Sequence, residues 1–505
     1  MLAVDIGTSS VRSALVDESA RIASATLVRT PTDLTSANDG ASEADPSDLA
    51  QRVWQCIDGT LERAHGLITA IAGVAVTTFV PNVCGLDDSN TPVTPLYTWA
   101  DTRGGQEVDL LQASLDWNEV HERTGCPAHT SYLPARLMWV QSSNPDLYSR
   151  VSRWVSIGEY IELLLFGHAR CSLSVASWTG LLNRRRLTWD EALMGRLGVS
   201  QGQLSPLADV TEPISGLRDE FRKRWPALAD IPWYPALGDG VAHNYGCGAG
   251  ESHRIALSLG TSGAVRGVVQ GDPLVTAGLW VYRVDSLRSL VGGALSEGGN
   301  VLVWLNQLLR PPLASAPGDH NDLDDLGWEA AVQAIAPDSH GLTVLPFVAG
   351  ERSPGWRPNA RAAITGMTLT TTPAKVLRAG IEAVAYRLAE IYCRLPSEIT
   401  TGRSIVASGG ALRFTPWYQI ISDVLGCAVE ESLEQEASLR GAAIFAWRSL
   451  GAWKGCSDPP AAVGKVYEPD ERRHRVYSEA RERQRALYER LIPLWTEPGP
   501  SMLGQ

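Results

Sequence analysis

Apolar positions along this chain follow two rhythms. Over residues 2–16, apolar and β-branched residues flank Gly7-Thr8-Ser9-Ser10, which predicts strand, turn, strand. Over residues 46–67 the apolar positions Leu49, Val53, Ile57 and Leu61 fall on one helical face, with Asp45 or Ser47 placed to cap its start. Residues 71–77 then read as a buried strand. A βαβ-like opening of this kind predicts an α/β class. Residues 255–269 repeat it, with strands on either side of Gly260-Thr261-Ser262-Gly263. Asp-Ile-Gly-Thr-Ser-Ser and Ser-Leu-Gly-Thr-Ser-Gly are one motif written twice, which predicts two domains of similar architecture. The glycine-rich stretch 246–253, just before the second copy, is the expected boundary, giving domains 1–247 and 248–505. A third glycine turn, Ser408-Gly409-Gly410-Ala411, follows a strand at 404–407 and leads into a helical pattern at 417–425. Segment 311–325, rich in Pro, Gly and Asp, reads as a surface loop. The chain from Glu468 reads as a charged amphipathic helix and tail.

Length supports the division. At 505 residues the chain exceeds the roughly 250–300 at which single cores stop growing. A cleft between two domains is then the default ligand site. The net charge of −12 disfavours nucleic acid as a partner, and Arg184-Arg185-Arg186 is too short for a phosphate-backbone footprint. The eight cysteines form no CxxC and no zinc spacing, and scattered thiols suit a reducing cytosol. No apolar run approaches the roughly 20 residues of a membrane span, so the expected location is cytoplasmic. Oligomeric state stays open, with a homodimer as one possibility.

The turns are the first candidate chemistry. Glycine lets the backbone approach a ligand closely, and the following hydroxyls and N–H groups can point at phosphate oxygens. Two such turns on facing domains can grip two parts of one polyphosphate, although neither is a GxxxxGK[ST] loop. Asp5, at the end of the first strand, is a candidate Mg2+ ligand or a turn cap. Asp239 lies in Ala236-Leu237-Gly238-Asp239-Gly240-Val241-Ala242, flanked by glycines that leave its carboxylate open. It can take the proton of an attacking hydroxyl, or merely cap the helix that follows.

These motifs together resemble the FGGY family of carbohydrate kinases, within the actin-like (ribonuclease H-like) ATPase superfamily. Asp5-Ile6-Gly7-Thr8-Ser9-Ser10-Val11-Arg12 is similar to the family's first phosphate turn and Leu259-Gly260-Thr261-Ser262-Gly263 to its second. Ala407-Ser408-Gly409-Gly410-Ala411 resembles the adenosine turn, and Glu436-Ala437-Ser438-Leu439-Arg440-Gly441-Ala442-Ala443 the helix start after it. The stretch from Pro346 through Gly350-Glu351-Arg352-Ser353-Pro354 and the run from Ser131 to Trp139 resemble further family segments, with Arg136 where lysine is usual. Residues 363–382 resemble the second signature, with Lys375 and Gly380 departing from it. The resemblance implies a two-domain fold with an interdomain catalytic cleft, ATP and Mg2+ as cofactors, and a small sugar, polyol or sugar acid as substrate. It implies Asp239 as catalytic base and, with Asp5, as a magnesium position. It implies phosphate or nucleotide contacts at Gly7, Thr8, Ser9, Arg12, Gly260, Thr261, Gly299, Gly409 and Gly410. Trp99, Asp101 and Arg103 match the sugar-side WxDxR stretch.

Thr124-Gly125-Cys126-Pro127-Ala128-His129 resembles gluconate kinases of the family, so D-gluconate is the first expected substrate and a pentulose such as xylulose the alternative. A sugar acid needs a local cation, and Arg103, Arg136 and His129 are the candidates; Arg136 as a helix-surface residue and His129 as a turn-packing residue are the competing readings. The loop Thr78-Phe79-Val80-Pro81-Asn82 lacks the Met-His pair that many members carry. An ATP-binding sensor without sugar turnover is the alternative of another class, and a glycine-flanked Asp239 argues against it.

Overall fold

The computed structural model describes residues 1–250, 254–309, 327–453 and 458–496. The expected loop at 311–325 lies outside them, as do 251–253 of the expected boundary and the end of the expected C-terminal tail.

The first half is built on a five-stranded sheet. Leu2–Ile6 pairs antiparallel with Ser10–Leu15 and parallel with Val74–Thr78, Leu237–Gly238 extends the parallel side, and Val28–Pro31 the antiparallel side. The second half repeats this plan around Arg254–Leu259. That strand pairs antiparallel with Gly263–Gln270 and parallel with Ser404–Ser408, inside a seven-stranded sheet. The repeated glycine turn therefore closes the same hairpin in each half. The strand expected at 71–77 begins instead at Val74, where its partner Leu2 begins, and His65–Ala70 forms a short 3-10 segment before it.

The helix Pro46–Ala64 covers the first sheet. Asp45 caps it, accepting from the Ser47 and Asp48 N–H groups, and Pro46 occupies its first turn. Leu49, Val53 and Ile57 are buried with Trp54 as its periodicity predicts, each such side chain worth about 1.5–3 kcal/mol on full burial. An inserted antiparallel sheet, which includes Ser42–Ala44, Asn82–Leu86 and Leu96–Thr98, carries the segment from Trp99 to Arg103.

The halves are joined by helix on helix. Ala437–Ser449, from the second half, packs on Asp239–Gly246 and against the Leu2–Ile6 and Val74–Thr78 strands. Backbone touches backbone at the crossing: a Cβ on Gly441 would stand 1.8 Å from the Ala242 carbonyl oxygen, and one on Gly246 1.7 Å from that of Ala437. Leu439 and Ala442 to Trp447 thus share one buried cluster with Met1, Ala3 and Ala75. Among the described residues, no helix is long and apolar enough to cross a membrane.

Candidate active site

A cleft of about 1540 Å³ lies between the halves and is lined from both. Thr8, Gly260, Thr261 and Gly409 open onto it, together with Asp239, Trp99 and His129. The first turn is closed by the Gly7 N–H on the Ser10 carbonyl (3.1 Å) and the second by the Gly260 N–H on the Ser262 carbonyl (3.0 Å). The start of the helix Gly299–Leu309 clamps the second turn, with the Gly299 N–H donating to the Gly260 carbonyl (2.7 Å) and that of Asn300 to Thr261 (3.1 Å). Gly409 adopts φ 120°, and a Cβ there would meet the Leu259 carbonyl oxygen at 2.4 Å. Only glycine fits both that conformation and that approach. Gly7, Ser9, Arg12, Gly299 and Gly410 are outside the cleft wall itself.

Asp5, the penultimate residue of Leu2–Ile6, and Asp239, just after Leu237–Gly238, lie at the carboxyl ends of the two parallel strands that flank Val74–Thr78. Burial pushes the Asp5 carboxyl up to about 7, against the pull of Arg12, whose Nη1 lies 3.7 Å away, and the Asp239 charge pushes it further. Burial likewise raises Asp239 to about 6, while Arg266 and the Gly240 N–H, donating to Oδ1 at 2.8 Å, pull it down. The capping reading of Asp239 is corrected here. Its helix starts at Asp239 itself, Gly238 is the N-cap, and no side chain caps the turn. Arg12 is shared with the second half: Nη1 donates to Glu436 Oε2 at 3.1 Å, and Arg29 donates to Oε1 of the same carboxylate at 2.8 Å.

On the expected sugar side, Trp99 faces the cleft, but Asp101 is fully enclosed. Asp101 accepts from the Ser42 and Arg103 backbone N–H groups and pairs with the Arg103 guanidinium, which is also paired with Glu43 and stacked 4.3 Å from the Trp139 ring centroid. With its charge spent on two carboxylates outside the cleft wall, Arg103 is corrected as a reader of a substrate carboxylate. Arg136 is corrected too, and so is its helix-surface alternative. It is 2% exposed and donates to the carbonyls of Thr98 (3.1 Å), Asp101 (2.7 Å) and Thr130 (2.9 Å). Arg136 therefore ties the Trp99 segment to the His129 loop. His129 does reach the cleft, yet burial, helped by the charges of Arg352 and Arg136, pushes it down to about 3. It stands there as a neutral ring and not as the expected cation.

The sequence reading missed several groups. Arg266, Arg352 and Arg357 all line the cleft. Arg352 was quoted only inside a motif, and a GERxP run carries no signal of which way its arginine faces. His243 Nε2 bonds Ser408 Oγ at 2.9 Å, linking the Asp239 helix to the third glycine turn. Glu297, behind the second turn, is wholly buried with neither oxygen partnered among the described residues, and burial raises it to about 8.

Comparison with known proteins agrees with this geometry. The N-terminal domain of the FGGY family of carbohydrate kinases matches residues 1–246 and the C-terminal domain residues 255–450. A gluconokinase of Bacillus subtilis (strain 168) is 28% identical over 92% of this chain and 91% of its own. A xylulose kinase of Escherichia coli (strain K12) is 25% identical over 98% and 99%. A crystal structure of gluconate kinase from Lactobacillus acidophilus superposes with a TM-score of 0.88 at 25% identity, covering 98% of both chains.

Proposed function

Because the chain belongs to the FGGY family of carbohydrate kinases, we propose that it transfers the γ-phosphoryl group of ATP to a hydroxyl of a small carbohydrate, D-gluconate first, with a pentulose of the xylulose type as the alternative. The observation that carries this reading is Asp239, an uncapping carboxylate that opens on the cleft between the Trp99–His129 side and the glycine turns. In this reading residues 1–247 hold the sugar and the first turn, and residues 248–505 hold the nucleotide.

Asp239 takes the proton of the attacking hydroxyl as its oxygen bonds to the γ-phosphorus and ADP leaves with the electrons of the broken P–O bond. Thr8 and Thr261 present hydroxyls and N–H groups to the phosphates, Gly260 lets them approach the backbone, Gly7, Ser9, Arg12 and Gly299 shape those turns, and Gly409 and Gly410 give the adenosine room. Two buried carboxylates, both raised by burial and the Asp5 one further by the Asp239 charge, fit a hard divalent cation, so Asp5, with Asp239 beside it, would hold Mg2+, which supplies charge neutralisation on the phosphates. ATP-dependent work on such substrates places the enzyme in the cytoplasm.

The test is an ADP-release assay with Mg2+ over a panel of sugars, polyols and sugar acids. Turnover highest on D-gluconate is the expected result. Turnover highest on xylulose selects the alternative, and ATP binding without turnover of any panel member refutes the kinase reading in favour of a sensor.

A further inference from the structure

The cleft holds three arginines whose partners differ. Arg266 donates to the Gly240 carbonyl (3.1 Å) and to Ser258 Oγ (2.7 Å) beside Asp239. Arg357 Nε donates to the Tyr488 hydroxyl at 3.2 Å. Arg352 has no side-chain hydrogen bond or ion pair with any described residue, and its Nε is buried without a partner. Its guanidinium stands 5.5 Å from the Trp99 ring centroid. The neighbouring carboxylate does not neutralise it, because Glu351 is already bound by Arg387 and by the Tyr488 hydroxyl.

His129 completes the arrangement. Its Nδ1 meets both the Ser131 N–H at 3.1 Å and Ser131 Oγ at 2.9 Å; the tautomer that satisfies the Ser131 N–H carries its proton on Nε2, which has no partner among the described residues. The ring packs edge-on against Trp356, 5.2 Å between centroids, so a residue of the first half meets one of the second across the cleft. Burial and the nearby arginine charges keep this imidazole neutral, a donor and not a second cation. Arg352 beside Trp99 and His129 against Trp356 thus line the same cleft, a guanidinium with an unpaired Nε and a neutral imidazole.

We infer that Arg352, with the His129 Nε2–H, is the subsite that reads the carboxylate of a sugar-acid substrate and so sets acid over neutral sugar. This rests on the sugar-acid reading above and replaces Arg103 and Arg136 in that role. A guanidinium matches a carboxylate with two parallel N–H···O bonds, which a hydroxymethyl or ketose end cannot supply. A neutral sugar leaves the buried Nε unpaired, and that lost pairing is what discriminates.

The test compares D-gluconate with D-gluconamide, which keeps the carbon chain and removes the charge. The wild-type enzyme should favour gluconate in kcat/KM. Arg352→Gln should lower kcat/KM for gluconate by about 10- to 100-fold and for gluconamide by less than about 3-fold. The KM for ATP should not move. Arg352→Lys, which keeps charge and bulk without the fork, should fall between, and it keeps the test alive if the Gln variant fails to fold. Equal losses on the two substrates, or a raised KM for ATP with the gluconate preference intact, overturn the subsite while leaving the sugar-acid reading standing. A wild-type enzyme without preference for gluconate over gluconamide also overturns it. A wild-type enzyme that phosphorylates ketoses and no sugar acid overturns the reading and the subsite together, and it does so before any residue is changed.

Discussion

Asp239→Asn tests the proposed base with little disturbance elsewhere. The side-chain oxygen that accepts the Gly240 N–H at 2.8 Å has a counterpart in asparagine, and no capping bond is at stake because Gly238 is the N-cap. The fold should therefore pay less than about 1 kcal/mol, the scale of one net hydrogen bond. With its carboxyl near 6, Asp239 is ionised in roughly nine-tenths or more of the enzyme at pH 7.5, so nearly every molecule loses its proton acceptor. The expected loss in kcat is about 10²–10⁴-fold, or about 3–5 kcal/mol of barrier. The pH profile gives an independent readout. The ionised form is the active one, so wild-type kcat/KM should fall as pH drops through about 6, and the residual activity of the variant should lack that limb. The measurements are ADP release across pH on the best panel substrate, and affinity for metal-free ATP by calorimetry, which should survive because the phosphate turns are untouched. Wild-type turnover in the Asn variant would refute the reasoning and revive the sensor.

Two further outcomes concern the fold. Glu297 is raised to about 8, so below that the folded chain keeps a proton that the unfolded chain gives up above about 4.3; stability then falls as pH rises between these values. Glu297→Gln removes that slope and should be more stable than wild type by about 3 kcal/mol at pH 7, with the gain vanishing toward pH 4.5; an unchanged melting temperature at pH 7 would show that the carboxylate has a partner in solution. Gly441→Ala drives a methyl group to within 1.8 Å of the Ala242 carbonyl oxygen and should cost about 1–3 kcal/mol or more and reduce kcat, whereas Gly195→Ala, with open space at its Cβ, should be neutral or stabilising in the same melting assay.

What was legible in the sequence was local. A glycine turn between apolar strands announces itself within ten residues, and both copies close hairpins at the centres of their sheets. The helix at Pro46–Ala64 was readable from its period and its Asp45 cap. What was not legible depends on residues far apart. Nothing in Ala437–Ser449 says that it will share a core with Met1 and Ala3, because that follows from Gly441 and Gly246 letting two backbones touch. His129 was found through its motif, but its charge was misjudged: a neutral ring results from burial beside Arg352 and Arg136, neither adjacent in sequence.

The arginines make the physical limit plain. Arg103, Arg136 and Arg352 are chemically identical, and a sugar acid needs one guanidinium facing the cleft. Arg136 was taken up by the backbone carbonyls of Thr98, Asp101 and Thr130, since a buried guanidinium and buried carbonyls must find partners. Arg103 was taken up by Asp101, which is itself fixed by the Ser42 N–H. Each of those commitments stiffens the wall that holds Trp99 and His129 in place. Arg352 stands opposite them with its Nε unpaired, so the two arginines that do not face the ligand position the aromatic and imidazole groups beside the one that does. A change at Arg136 should thus act on the substrate through Trp99 and His129, on acid and neutral sugars alike, and only a change at Arg352 should separate them.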